Sequence, residues 1–112
     1  MANQLWLFSY GTLRQRAVQM AVFGRELAWA DDALPGWRPE MVAITDAQVL
    51  ATSGLAEHPI LRATGDPSDL VAGAALAITP GDLPRADAYE VADYRRVEVT
   101  LQSGRRAFVY VG

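Results

Sequence analysis

The sequence predicts an α+β domain: a mixed, mainly antiparallel β-sheet curled toward a small β-barrel, with short helices packed outside it. Three observations carry that expectation. About six or seven short apolar or alternating segments read as strands, against two short helical segments. No strand-helix-strand repeat and no fixed-period self-similarity is present, which argues against a doubly wound parallel sheet. The chain closes on two alternating segments joined by Gln102-Ser103-Gly104, the pattern of a β-hairpin.

Each element has its own signal. Leu5, Trp6, Leu7 and Phe8 form an apolar run that stops at Tyr10-Gly11, a buried strand ending in a glycine turn. From Arg14 onward Val18, Met20, Val22 and Phe23 sit among polar residues and Gly24 follows, which predicts two helical turns with a glycine C-cap. Residues 26–34 alternate through Leu27 and Trp29 and read as a strand up to the Pro35-Gly36 turn. Residues 37–44 read as a strand bent or interrupted by Pro39, and residues 46–57 fit either a helical turn or a loop. A short strand is expected over 59–62 and a clear apolar one over 70–79, whose small residues Gly73 and Ala75 let a backbone or a ligand come close. Thr79-Pro80-Gly81-Asp82 opens a second helix, capped by Thr79 or Asp82, with Leu83, Ala86, Tyr89 and Glu90 on one face. The hairpin strands are expected over 94–101 and 105–111, with Val97, Val99 and Leu101 facing one way. Trp6, Trp29 and Trp37 are expected in the core, and Asp31-Asp32 at a turn or edge.

Composition narrows the function. The 112 residues suffice for one domain over 1–112, and 51% apolar with 21% charged residues excludes disorder. A net charge of −3 argues against a role on nucleic acid. The absence of cysteine removes a disulfide scaffold, a thiolate zinc site and a cysteine nucleophile. The N-terminus lacks a basic n-region, and no apolar stretch approaches the ~20 residues that span a bilayer, so a cytoplasmic, membrane-free protein is expected. His58 has no visible partner, and no acidic loop or histidine pattern implies a metal.

Two segments carry candidate chemistry. Tyr10-Gly11-Thr12-Leu13 joins a buried strand to a helix, so a glycine permits close approach and the helix N-terminus offers unpaired N–H groups suited to a carboxylate. The same pattern also makes an ordinary strand-to-helix turn. Asp87 and Glu90 lie three apart on one helical face, and Glu90 sits near the helix C-terminus beside Tyr89. In a partly dry pocket its pKa rises, as a general base or acid near neutral pH requires. Read alone, the segment favours Glu90 as a solvated acid paired with Arg95 or Arg96.

Taken together, Tyr-Gly-Thr-Leu-Arg after an apolar strand and Asp-x-Tyr-Glu-x-x-x-Tyr-Arg-Arg-x-x-Val late in the chain resemble the gamma-glutamylcyclotransferase-like family, nearest its AIG2-like and gamma-glutamylamine cyclotransferase branches. Ala33-Leu34-Pro35-Gly36-Trp37, His58-Pro59-Ile60-Leu61, Val71 to Leu76 and the closing Ala107-Phe108-Val109-Tyr110-Val111 extend the likeness over nearly the whole chain. The resemblance implies a transferase- or lyase-type cyclisation of a γ-glutamyl compound to 5-oxoproline with release of an amine. It implies Glu90 as the catalytic acid and Ser9, Tyr10, Gly11, Thr12, Leu13, Gly73 and Tyr94 as substrate-binding residues, with no cofactor and no metal. A monomer or homodimer is expected. Two departures stand out: Val91 follows Glu90 where the family often has glycine, and the sequence stops after its last strand. They leave open a second reading, a non-catalytic small-molecule binding or regulatory module on the same fold.

Overall fold

The computed structural model describes residues 4–43, 57–90 and 94–112. The elements follow in the order β1 (Leu5–Ser9), α1 (Arg16–Phe23), β2 (Trp29–Pro35), β3 (Trp37–Ala43), β4 (Glu57–Ala63), β5 (Leu70–Ile78), α2 (Leu83–Tyr89), β6 (Arg95–Thr100) and β7 (Arg106–Val111). Short 3-10 turns at Thr12–Arg14 and Pro80–Asp82 precede the two helices.

Five strands form one sheet in the order β2-β5-β1-β7-β6. Its pairs are antiparallel apart from β1 and β7, which run parallel with Leu7 opposite Phe108. The central position of β1 explains why its sequence is a continuous apolar run. Leu7 packs on one face with Val18, Phe23 and Ala86 of the helices, and Phe8 on the other with Leu61 of β4. Strand β7 obeys the same two-residue period: Phe108 and Tyr110 face the helices, while Ala107, Val109 and Val111 face the opposite core. The edge strand β6 alternates as expected, with Val97 and Val99 packed inward and Arg96, Glu98 and Thr100 exposed.

The mixed, mainly antiparallel α+β architecture is the expected one, but hydrogen bonding does not run round a single ring. Strands β3 and β4 form their own antiparallel ribbon, from Trp37 opposite Ala63 to Ala43 opposite Glu57. The turn at Gly36, with φ of 88°, carries the chain out of the sheet at this point. The ribbon lies over one sheet face through Leu61, and the Gly112 N–H donates to the Leu61 carbonyl at 3.1 Å.

Several local expectations are corrected. Strand β2 begins at Trp29, because the Leu27 N–H donates to Gln19 Oε1 at 2.9 Å rather than to a strand neighbour. Pro39 does not interrupt β3; a two-stranded ribbon leaves one side of each strand unpaired, where a missing N–H costs nothing. Trp29 is not in the core but 61% exposed, at the start of an edge strand. Asp32 is no loose edge charge, since its side chain is only 2% exposed. It accepts hydrogen bonds from Ala33 N, Ser103 N, Ser103 Oγ and Arg105 Nη1, and so ties β2 to the β6–β7 turn. Burial pushes its pKa up, but these donors together outweigh burial and hold it below the ordinary value. Most of the ambiguous stretch 46–57 lies outside the described residues, as does Val91.

Gly24 adopts φ of 74° and closes α1 by donating to the Met20 carbonyl at 3.0 Å, as expected of a glycine C-cap. At α2, Asp82 accepts from the Thr79 N–H at 2.8 Å and from both terminal nitrogens of Arg25, at 3.0 and 2.6 Å. The Arg25 hydrogen bonds are the main reason its pKa drops to about 2. A depressed carboxylate stabilises the fold above its unfolded pKa of 3.8 and loses that contribution as pH falls toward about 2. Asp82→Ala is expected to cost roughly 1–3 kcal/mol in urea unfolding at pH 7, with the difference from the wild type shrinking at pH 3 or below. Equal midpoint shifts at both pH values would contradict this role. No described helix is long and apolar enough to cross a membrane.

Candidate active site

Strand β1 delivers its last residue, Ser9, into the core at 5% exposure and releases the chain at Tyr10-Gly11. Gly11 takes φ −138° and ψ −142°, and its N–H leans on Ser9 Oγ at 3.4 Å. The next residues do not enter α1 directly. A 3-10 turn at Thr12–Arg14 intervenes and α1 begins only at Arg16, so its N-terminus lies beyond the loop rather than directly behind it. The donors therefore come from the loop itself. Among the described residues no acceptor meets the N–H of Thr12 or Leu13, whereas Arg14 and Gln15 turn theirs inward to Gly11 O and Thr12 O. Leu13 is buried in the core, and Gln19 Nε2 donates to its carbonyl at 2.9 Å, which anchors the loop. Tyr10, Gly11, Thr12, Arg14, Gln15 and Pro59 line a cavity of about 460 Å³.

Glu90 ends α2. Its N–H still bonds Ala86 O at 3.1 Å, but φ −74° and ψ 144° already turn the chain into extended backbone. Burial is the main cause that raises its pKa to about 8, and the neighbouring charge of Asp87 adds to it. No ion pair with Glu90 is formed among the described residues. The arginine foreseen as its partner belongs to Asp87 instead: Arg96 Nη1 donates to Asp87 Oδ2 at 2.7 Å, and Tyr110 OH donates to Oδ1 at 2.7 Å. Arg96 also stacks over the Phe108 ring, 5.5 Å from its centroid.

Tyrosines join the two segments. Thr12 Oγ1 and Tyr89 OH share a hydrogen bond of 2.6 Å, and Tyr10 OH donates to Tyr110 O at 2.5 Å. Burial, then the charge of Glu90, raise the pKa of Tyr10, and the same two causes act on Tyr89. The loop and Glu90 thus share one side of the molecule, although Glu90 itself does not line the cavity. Tyr94 OH donates to Pro59 O at 2.5 Å and fixes the ribbon residue at the cavity wall. Gly73 stands elsewhere, on β5 opposite Asp32, beside a smaller concavity of about 210 Å³ that Arg14, Trp29 and Asp31 also line. Its small size serves packing: a Cβ there would stand inside 3.0 Å of the Ser9 carbonyl oxygen and 2.7 Å from Phe8 Cζ.

The sequence places Tyr89 beside Glu90 but gives Tyr110, Arg14 and Pro59 no individual part in this site. The contact of Tyr89 with Thr12, 77 positions apart, exists only once the helix is docked. Asp87→Asn removes the charge facing Glu90 while keeping the side chain's shape. The Glu90 pKa is expected to fall, moving the acid limb of any pH profile that depends on it to lower pH; an unmoved limb would exclude coupling between the two carboxyls.

The sequence matches the family model described as Gamma-glutamyl cyclotransferase, AIG2-like, over residues 7–112. The chain belongs to that family. Two solved structures share the AIG2-like chain's fold, both solution structures of Arabidopsis thaliana proteins. At3g28950.1 superposes with a TM-score of 0.76 at 18% identity, over 99% of this chain and 63% of that one. At5g39720.1 gives a TM-score of 0.71 at 20% identity, over 98% of this chain and 69% of that one. The present chain therefore spans about two thirds of the length of either. No curated protein sequence matches it. Among the described residues of this AIG2-like chain, no group of three or more His, Cys, Asp or Glu stands close enough to hold a metal ion.

Proposed function

We propose that the chain is a gamma-glutamyl cyclotransferase-type enzyme that closes the glutamyl part of a γ-glutamyl amine or related compound to 5-oxoproline. The observation that carries this reading is a half-buried carboxyl, Glu90, with its pKa raised to about 8 and its charge felt by Tyr10 of the donor loop. In the proposed reaction the Glu90 carboxylate takes a proton from the substrate α-ammonium. The freed amine attacks the γ-carbonyl carbon, a C–N bond forms, and the negative charge moves to the carbonyl oxygen. Loop N–H groups at Thr12 and Leu13 are suited to stabilise that oxygen. The intermediate collapses: the ring nitrogen, still carrying a second proton, gives it up to solvent, the bond to the leaving nitrogen breaks, and Glu90 returns its proton to that nitrogen. The released amine then takes up a proton from solvent. Protons balance over the cycle, so one carboxyl serves as base and then as acid. Ring closure is intramolecular, so the pocket acts mainly by holding a folded conformer.

The test is 5-oxoproline release from a panel of γ-glutamyl amines, γ-glutamyl dipeptides and glutathione. Release from at least one member supports the reading. No release, with a γ-glutamyl ligand that still raises the melting temperature, would replace it by the binding-module reading.

A further inference from the structure

Arg14 does something that neither the cavity nor the family assignment explains. Its exposed side chain turns back over the loop it follows. Nε donates to Gly11 O and Nη2 to Tyr10 O, each at 3.3 Å. A trans peptide is planar, with its C=O and N–H pointing in opposite directions. Holding the Tyr10 carbonyl therefore sets the direction of the Gly11 N–H, and holding the Gly11 carbonyl sets that of the Thr12 N–H. The Thr12 N–H is one of the two donors that meet no acceptor among the described residues. Gly11 is the residue least able to hold its own peptide planes, having no Cβ. The loop's other fixed points are the Tyr10 hydroxyl on Tyr110, the Gly11 N–H on Ser9 Oγ, the Thr12 hydroxyl on Tyr89, the Thr12 carbonyl on the Gln15 N–H and the Leu13 carbonyl on Gln19, and none of them restrains the Gly11 carbonyl. The Arg14 N–H reaches that carbonyl too, also at 3.3 Å, so the main chain and side chain of Arg14 hold the Gly11 carbonyl together, and the side chain alone holds that of Tyr10.

We propose that Arg14 is a positioning residue: its guanidinium grips the two carbonyls on either side of the Gly11 N–H and so aims the Thr12 N–H at the oxygen of the substrate's γ-carbonyl. The role needs a planar fork with two donors in fixed relation, which lysine lacks. It rests on the cyclotransferase reading for its consequence in catalysis, but not for its consequence in the loop.

The experiment accordingly has two readouts on the full chain. Backbone ¹⁵N relaxation is measured for the wild type, Arg14→Ala and Arg14→Lys. Order parameters at Gly11 and Thr12 are expected near about 0.85 in the wild type and below about 0.6 in Arg14→Ala, with α1 residues unchanged. Unchanged order at Gly11 and Thr12 in Arg14→Ala would overturn the proposal whether or not the protein turns over any substrate. On a substrate found by the release assay, Arg14→Ala is expected to lose about 10- to 100-fold in kcat with little change in KM, because the donors act on charge that develops after binding. Arg14→Lys should recover little, whereas added guanidinium at millimolar concentration should partly restore Arg14→Ala. A loss confined to KM, or full recovery in Arg14→Lys, would make Arg14 a simple charge for the substrate and also overturn the proposal. A wild type without turnover would defeat the cyclotransferase reading alone, leaving the relaxation result to decide on Arg14.

Discussion

Glu90→Gln is expected to lower kcat for 5-oxoproline release by about 10²- to 10⁴-fold while making the protein more stable in alkali. Both effects come from one fact: the fold partly buries a carboxyl that prefers to be neutral. The pKa of Glu90 is about 8 in the folded chain against an ordinary 4.5. Between those values the folded state binds the proton more tightly than the unfolded state, so the sign of the linkage is fixed. The neutral carboxyl favours the fold fully below about pH 4.5; that contribution is lost progressively as pH rises and is gone above about 8. One pKa unit corresponds to about 1.4 kcal/mol, so the whole window is worth at most a few kcal/mol. Glutamine has nearly the same shape and never ionises. The urea midpoints of wild type and Glu90→Gln should therefore lie close together at pH 5 and separate in favour of the variant at pH 9. Midpoints that run in parallel across that range would mean that Glu90 is not held neutral by the fold. Full turnover in the variant would remove Glu90 from the chemistry. A bound α-ammonium would favour the carboxylate, so the acid limb of kcat is expected at lower pH than that of kcat/KM, which reports the free enzyme near pH 8.

Gly73→Ala is expected to give the largest loss of stability from a single added methyl among the described glycines without positive φ that lie inside the chain. The new Cβ would stand inside 3.0 Å of the Ser9 carbonyl oxygen, and that atom is backbone in the central strand. A flexible side chain could swing aside; a strand paired on both sides cannot. Relief requires β1 and β5 to part where Ser9 faces Ala74, just before the donor loop. Overpacking of this kind costs about 1–3 kcal/mol, which corresponds to a fall of roughly 5–20 °C in melting temperature for a domain of this size. Gly81→Ala is the control, since the nearest atom to its Cβ is Thr79 Oγ1 at 3.8 Å. If both variants melt together, the tight contact under Ser9 is not a constraint. Turnover by Gly73→Ala should fall along with stability, because the displaced backbone leads directly into Tyr10-Gly11. In that sense Gly73 contributes to the site through the strand beneath it rather than by lining the main cavity.

Much of this molecule was legible as one-dimensional pattern. The apolar run of β1, the strict alternation of the C-terminal hairpin, the glycine that ends α1 and the Thr79-to-Asp82 start of the second helical segment are local signals, each set by a short-range physical preference. The loop at Tyr10 and the pairing of Asp87 with Glu90 on one helix face were equally local. What stayed hidden were contacts between residues far apart in sequence. Trp29, expected in the core, stands outside, and Asp32, on the edge strand as expected, has its side chain covered, because the reach of Ser103 and Arg105 appears only when the hairpin is folded onto β2.

By itself, the sequence determined which segments are strands and helices, and where a backbone turn and a carboxyl of catalytic type occur along the chain. Only the tertiary structure decided that Arg96 pairs with Asp87, 9 residues away, and leaves Glu90 to burial. It alone decided that Thr12 meets Tyr89 across 77 positions. The physical reason is that a side chain's protonation depends on the solvent and charge excluded around it, and those are properties of packed surfaces, which no single segment possesses.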